Sequence, residues 1–157
     1  MFLHAGVAHL LFNMWSLWIF GNNVEEAFGA PGYLAFYLAS GVAATAGFVA
    51  LNPELTVPLV GASGAIAGVM GAYLVLFPTH RVLTLFFIYI VAVPAVVFLG
   101  IWFVSQFALA SGQTGVAWEA HVFGFGFGAL IALPFRRRLL ANTVPPAPAT
   151  TPYRRPY

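Results

Sequence analysis

Residues 61–71 have the sequence Gly61-Ala62-Ser63-Gly64-Ala65-Ile66-Ala67-Gly68-Val69-Met70-Gly71. The stretch places a serine among small residues, where a proline-containing loop leads into an apolar helix. A glycine beside the serine allows another backbone to approach closely, and the free N–H groups of a helix N-terminus favour negative charge. A nucleophile with an oxyanion site needs both conditions. The stretch therefore predicts Ser63 as a candidate catalytic residue, provided that other helices bring the remaining groups.

The composition indicates a polytopic membrane protein. Of the 157 residues, 61% are hydrophobic and 6% are charged, whereas soluble proteins have about 25% charged residues. The absence of cysteine excludes disulfides and thiol catalysis. The net charge is only +2 and the basic residues form no stripe on a helix, so we expect no nucleic-acid partner.

The apolar runs predict an all-α transmembrane helical bundle with five spanning helices. We place them at residues 9–28, 33–51, 63–77, 95–110 and 119–135. A run of 20 residues rises about 30 Å, enough to cross the hydrocarbon core. Residues 82–94 are interpreted as an irregular or interfacial lead-in to the fourth helix. Residues 1–135 form the predicted membrane domain, and residues 136–157 form a basic, proline-rich tail that is expected to be disordered.

The arginines predict the orientation in the membrane. With five spans, Arg81 and the cluster Arg136, Arg137 and Arg138 fall on the same side, which the positive-inside rule makes cytoplasmic. The C-terminal tail is then cytoplasmic, and the loop at residues 52–60 faces outward. The starts of the first, third and fifth helices also face outward.

The few polar side chains within the predicted helices are concentrated toward that outer face. Such residues are costly in a membrane and are functional candidates by default. They are His4, His9, Asn13, Ser63, Glu119 and His121. Each has an ordinary interpretation when taken alone: a histidine at the interface as an anchor, an asparagine as a bond between helices, a serine as a small packing residue. Together they predict a site.

Two faces of small residues predict which helices meet. Gly64 and Gly68 share one face of the third helix, and Gly124 and Gly128 share one face of the fifth. Small residues let membrane helices approach closely. Such an approach would bring Ser63 and His121 together at equal depth, and a serine within hydrogen-bond reach of a histidine is a nucleophile with its base.

These residues resemble the rhomboid family of intramembrane serine proteases. The resemblance covers residues 2–134 and rests on four motifs that occur in the family's order. They are His4-x4-His9-x3-Asn13, Gly21-x3-Glu25-x3-Gly29, Gly61-Ala62-Ser63-Gly64 and Ala120-His121-x2-Gly124-x3-Gly128. A single Gly-x-Ser-Gly motif would be weak, whereas the ordered set is highly specific.

The resemblance implies an endopeptidase with a serine–histidine dyad and no acidic third member. Ser63 would be the nucleophile and His121 the general base, while the side chains of His9 and Asn13 and the backbone N–H of Ser63 would hold the oxyanion. The implied substrates are transmembrane segments of other proteins, which enter from the lipid bilayer and are cut near the outer surface of a bacterial plasma membrane. No cofactor or metal is expected. His4, Glu25 and Gly29 are interpreted as structural.

Two departures from the family pattern accompany the resemblance. The family core has six spanning helices and this chain begins where the second would, so we expect a fragment or a start-site truncation that lacks the first helix. An aromatic ring four residues after the serine often stacks on the histidine in the family, but Ala67 occupies that position here. Tyr73 or Phe123 is the candidate replacement.

Two other functions are weighed against the protease. A catalytically inactive rhomboid-like protein would bind membrane helices without cutting them, but such relatives usually lose the serine or the histidine, and both are present here. A small transporter or channel component would use outward-facing histidine and asparagine to bind a solute. It would also place polar residues in the cytoplasmic half of the helices, where this chain has few.

Overall fold

The structure is a computed structural model that describes residues 1–54, 56, 58–110 and 116–143. In this part of the chain it forms a bundle of five helices with one β-hairpin. The helices are α1 (Val7–Phe28), α2 (Ala30–Leu51), α3 (Ser63–Leu76), α4 (Ala95–Ala110) and α5 (Trp118–Ala141), and the strands are β1 (Arg81–Phe86) and β2 (Tyr89–Pro94). The predicted starts of α3 and α4 coincide with the observed ones.

Helices α1 and α2 form a hairpin that turns at Gly29. This glycine has φ = 72°, a left-handed conformation that side chains disfavour. A proline in the first turn of α2 fits there because its missing N–H has no partner in a helix start. The rings of Phe28 and Phe36 stack across the turn with centroids 4.6 Å apart, which closes the hairpin.

Helix α3 lies at the centre of the bundle, and every residue from 65 to 73 is buried. It contacts α1, α2 and α5. A helix that is apolar on all sides is a core helix or a membrane span, and α3 has this character. Its first residue, Ser63, is half-buried, so the serine lies where the core opens at one end of the bundle.

The close approach of α3 and α5 that the small-residue faces predict is confirmed. A Cβ built on Gly124 would overlap the carbonyl oxygen of Gly64, and one built on Gly128 would overlap that of Gly68. Both pairs differ by 60 in residue number, so the two helices run parallel and in constant register over this segment.

The mostly helical bundle agrees with the predicted fold class, but residues 82–94, which the sequence predicts as an irregular or interfacial lead-in to the fourth helix, belong instead to an antiparallel hairpin at residues 81–94. Its register pairs Arg81 with Pro94 and Phe86 with Tyr89. The strands are rich in valine, leucine, isoleucine and aromatic residues, which suit a pleated surface. Val82 is buried at 4% exposure while Leu83 is 71% exposed, the alternation of a strand with one face on the core.

The prediction that the fifth helix ends at residue 135 is also wrong. Helix α5 continues through Pro134 to Ala141, so the arginine cluster is helical and is not part of a disordered tail. A proline removes only one backbone bond, which membrane helices tolerate when neighbouring groups compensate. The Arg136 Nε donates to the Val75 carbonyl at 2.9 Å, and the Asn142 side chain donates to the Ala27 carbonyl at 2.8 Å. The remainder of the predicted tail, residues 144–157, lies outside the described residues.

The outer surface of the bundle is apolar, as expected for a protein in lipid. Trp15, Trp18 and Leu11 on α1 are each more than 60% exposed. By length and composition, two of the described helices are able to cross a membrane, α2 with mean hydropathy 1.8 and α5 with 1.2. Helices α3 and α4 are apolar but shorter.

Candidate active site

The structure brings Ser63 and His121 together at one end of the bundle. Ser63 is the first residue of α3, and His121 lies in the first turn of α5. The Ser63 Oγ is 2.8 Å from the His121 Nε2, a distance at which the hydroxyl can donate its proton to the imidazole. The glycine contacts between the two helices bring these residues to the same level.

A third polar side chain, which the sequence did not single out, completes the arrangement. Gln106 lies on α4, is 3% exposed, and places its Oε1 2.7 Å from the His121 Nδ1. The sequence offered one indication of its importance, a lone amide in the apolar segment of residues 95–110, because burying a polar group in a membrane helix costs free energy. The imidazole is therefore bonded through both ring nitrogens.

The aromatic ring beside the histidine also comes from α4. The rings of Trp102 and His121 are 5.9 Å apart and inclined by 37°. The two residues proposed from the sequence lie elsewhere: Tyr73 packs edge-on against Phe20 at 5.1 Å, and Phe123 lies over Gly47. Trp102, and not Tyr73 or Phe123, is thus the aromatic residue whose ring lies beside His121.

His9 lies over the turn that leads into α3. Gly61 has φ = 109°, and a Cβ built on it would come within 2.8 Å of the His9 Nε2 and 3.8 Å of the Ser63 Oγ. Only glycine fits under the ring. The Ala5 backbone N–H donates to the His9 Nδ1 at 3.3 Å. In the neutral ring the proton is then on Nε2, so the nitrogen near Gly61 is a donor.

Asn13 lies one turn after His9 on α1 and is buried at 5% exposure. Its side-chain nitrogen donates to the His9 carbonyl at 2.8 Å, which uses one of its two N–H groups. The second N–H remains for another acceptor. Asn13 and His9 both line the cavity that contains Ser63 and His121.

This cavity has a volume of about 440 Å³. Its other walls are mostly apolar and come from α1, α2, α3, α4 and the segments before α3 and α5. They include Phe12, Phe48, Leu59, Ile66, Met70 and Trp102. An apolar cavity with a few convergent polar groups is typical of a ligand or substrate site.

The two other polar residues of the predicted outer face surround this group without entering the cavity lining. The rings of His4 and His9 meet edge to face with centroids 5.3 Å apart. The Glu119 carboxylate accepts a 3.2 Å hydrogen bond from Asn52. This bond ties the end of α2 to the first turn of α5, beside His121.

Comparison with known families identifies the family of the chain. A family model described as the Rhomboid domain matches residues 1–138. The chain belongs to the rhomboid family. Members of this family are integral membrane proteins, and serine proteases are among them.

Individual rhomboid relatives match most of the chain. Rhomboid protease GluP of Bacillus subtilis is 35% identical over 144 residues, which cover 88% of this chain and 27% of that protein. Rhomboid protein 1, mitochondrial, of Saccharomyces cerevisiae is 34% identical over 141 residues, 82% of this chain and 38% of that protein. The chain thus spans 27% of the length of the first relative and 38% of the length of the second. No solved structure gives a significant match.

Proposed function

We propose that this chain is an intramembrane serine endopeptidase that cleaves transmembrane segments of other proteins. The observation that carries the proposal is the 2.8 Å separation between the Ser63 Oγ and the His121 Nε2. Membership in a family that includes serine proteases supports it. The proposed dyad differs from a chance pair of polar residues because both side chains line one cavity.

In the proposed reaction, the Ser63 Oγ attacks the carbonyl carbon of a peptide bond while His121 Nε2 takes the hydroxyl proton. The tetrahedral intermediate collapses, and His121 gives that proton to the leaving amine as the C–N bond breaks. Water then attacks the acyl-serine ester, with His121 as base again. The carboxylic acid leaves, and the serine regains its proton.

The oxyanion of the intermediate would be held by His9, Asn13 and the Ser63 backbone. The His9 Nε2 faces the turn beside Ser63, and Asn13 lines the same cavity. The backbone N–H of Ser63 has no acceptor within α3 because Ser63 is the first residue of that helix. One such donor contributes roughly 2.7–4 kcal/mol to transition-state stabilisation in serine proteases.

The proposed placement has five spans, with the site toward the outer face of a bacterial plasma membrane and the C-terminal end in the cytoplasm. The Arg136 contact with Val75 puts the arginine cluster at the end of α3 that leads to Arg81, as the positive-inside argument requires. Helix α3 has 14 residues and rises about 21 Å, less than the roughly 30 Å hydrocarbon core. Ser63 would therefore lie below the outer surface.

Covalent labelling tests the proposal directly. The protein in proteoliposomes is treated with a fluorophosphonate, and the adduct is located by mass spectrometry. We expect the adduct on Ser63, and we expect it to disappear in Ser63→Ala and to be strongly reduced in His121→Ala. Circular dichroism checks that both variants remain folded.

A transmembrane peptide substrate in the same vesicles tests the peptidase activity. We expect cleavage by the unaltered chain and none by Ser63→Ala. Binding of the peptide without cleavage, together with no adduct on Ser63, would support an inactive helix-binding protein and overturn the proposal.

A further inference from the structure

Gln106 is an unusual residue for its position. Where the structure describes burial in α4, Gln106 is the polar residue with a buried side chain. Ile101, Val104 and Phe107 around it face outward. Its side chain points inward and reaches across to α5, where its Oε1 is 2.7 Å from the His121 Nδ1. The residue thus links α4 to the candidate base.

The neighbours of Gln106 determine which end of its amide faces the histidine. Its Nε2 donates to the Trp102 carbonyl oxygen at 3.0 Å and to the Ser105 Oγ at 3.3 Å. A carbonyl oxygen accepts hydrogen bonds and cannot donate them, so the NH₂ group must face Trp102. The carbonyl oxygen of the amide therefore faces His121.

This orientation in turn determines the tautomer of His121. The Gln106 Oε1 is an acceptor, so the His121 Nδ1 must carry a proton to bond with it. In the neutral imidazole, Nε2 then has a lone pair and no proton. Nε2 is the nitrogen 2.8 Å from the Ser63 Oγ, so the ring is ready to receive the hydroxyl proton.

We infer that Gln106 is a positioning residue that holds His121 in the Nδ1-protonated tautomer and in the ring orientation required by Ser63. The inference rests on the proposed function and extends it to a helix that the dyad does not include. Gln106 does not touch the reacting atoms; it acts through His121. It corresponds in position to the acidic member of a serine–histidine–aspartate triad, but it carries no charge.

The competing explanation is that Gln106 only joins α4 to α5. A structural amide of this kind would affect stability and would leave the chemical step of the folded protein unchanged. The test therefore measures the chemical step and the tautomer in addition to folding.

Gln106→Met removes the acceptor while nearly preserving side-chain length and volume. During turnover His121 becomes an imidazolium, and hydrogen bonds to charged groups are stronger than neutral ones. We expect kcat for a transmembrane peptide to fall roughly 10- to 100-fold with KM changed less than about threefold. Thr45→Val is the matched control, since it also removes one hydrogen bond, from Thr45 Oγ1 to the Gly41 carbonyl on α2. It should leave kcat unchanged.

Gln106→Glu tests rescue, because a carboxyl oxygen can accept the same hydrogen bond from Nδ1. We expect its kcat to exceed that of Gln106→Met at least severalfold, even though it loses the NH₂ donor to Trp102. Equal loss of kcat in both variants would mean that the acceptor is not what matters, and would count against the inference.

Nitrogen-15 NMR of histidine-labelled protein provides a readout independent of activity. The chemical shift of each ring nitrogen distinguishes a protonated from an unprotonated atom, and the His121 signals are identified by their loss in His121→Ala. We expect the unaltered protein to have Nδ1 protonated, and Gln106→Met to shift population toward the Nε2-protonated tautomer.

An unchanged kcat and an unchanged His121 tautomer in folded Gln106→Met would overturn the inference while the protease proposal stands. Failure of Ser63 to label in the unaltered protein would overturn the protease proposal. In that case the NMR result still decides whether Gln106 sets the tautomer of His121.

Discussion

Gly124 on α5 lies so close to the carbonyl group of Gly64 on α3 that no side chain fits between them. Gly64 follows Ser63 directly, and Gly124 is three residues beyond His121. The backbone contact is thus less than one helical turn from the two side chains that meet at 2.8 Å. The close packing of these two glycines therefore helps to set the distance between Ser63 and His121.

The first prediction concerns this backbone contact. Gly124→Ala adds a Cβ that must displace the Gly64 carbonyl, and overpacking of this kind costs about 1–3 kcal/mol. We expect a lower unfolding temperature in detergent and a loss of Ser63 labelling. Gly126→Ala is the control on the same helix, because a Cβ at Gly126 meets nothing within 4 Å. Equal stability of the two variants would contradict the prediction.

The second prediction concerns the proposed oxyanion donors. We expect His9→Ala and Asn13→Ala each to lower kcat by about 10²–10³ with little change in KM, because the lost bonds act mainly in the transition state. Cleavage of a transmembrane peptide measures both constants. Asn22→Ala removes an asparagine from the same helix outside the cavity lining and should have no such effect. A kcat within threefold of the unaltered value would remove His9 or Asn13 from this role.

The third prediction concerns the ring beside His121, the proposed base. Trp102→Ala removes the aromatic contact with His121, and aromatic pairs contribute about 0.5–1.5 kcal/mol beyond their buried area. We expect kcat to fall roughly 3- to 10-fold, and Trp102→Phe to recover much of it. Trp15→Ala, at an exposed tryptophan of α1, is the control. A similar kcat in Trp102→Ala and Trp15→Ala would show that the ring contact has no influence on the base.

The fourth prediction concerns the other end of α5. Arg136→Ala removes the hydrogen bond to the last turn of α3, where a positive charge also meets the negative end of the helix dipole. We expect a loss of about 1–2 kcal/mol in unfolding free energy. Arg137→Ala removes the same charge one residue later and should cost less. Denaturation followed by circular dichroism compares them, and equal losses would assign the effect to net charge alone.

The small residues explain why the Ser63–His121 pair was predictable. Their spacing on two separate helices specified a close contact, and that contact left one place where a serine and a histidine could meet. The i, i+4 spacing of His9 and Asn13 likewise predicted that they share one face of α1, whereas their role as oxyanion donors was implied by the resemblance to the rhomboid family. Such local periodicities are visible in the sequence.

Gln106 and Trp102 were harder to predict because their roles depend on where α4 lies. A glutamine and a tryptophan in an apolar helix have many ordinary uses, and nothing in the spacing of α4 specifies its neighbour. The hairpin was missed for a different reason. Its turn uses Phe87, with φ = 55°, where asparagine or glycine is usual, so the customary turn signal is absent from the sequence.

Arg136 has a geometrical consequence for the whole site. Twelve residue steps separate Ser63 from Val75 on α3, and fifteen separate His121 from Arg136 on α5, or about 18 Å against about 22 Å of rise. The Arg136 side chain extends back toward Val75 and makes up this difference in helical rise. Helix α5 thus contacts α3 through side chains near both of its ends. Adding or deleting one residue between positions 121 and 136 would turn one end by about 100° relative to the other, so the length of this segment is as strictly specified as its composition.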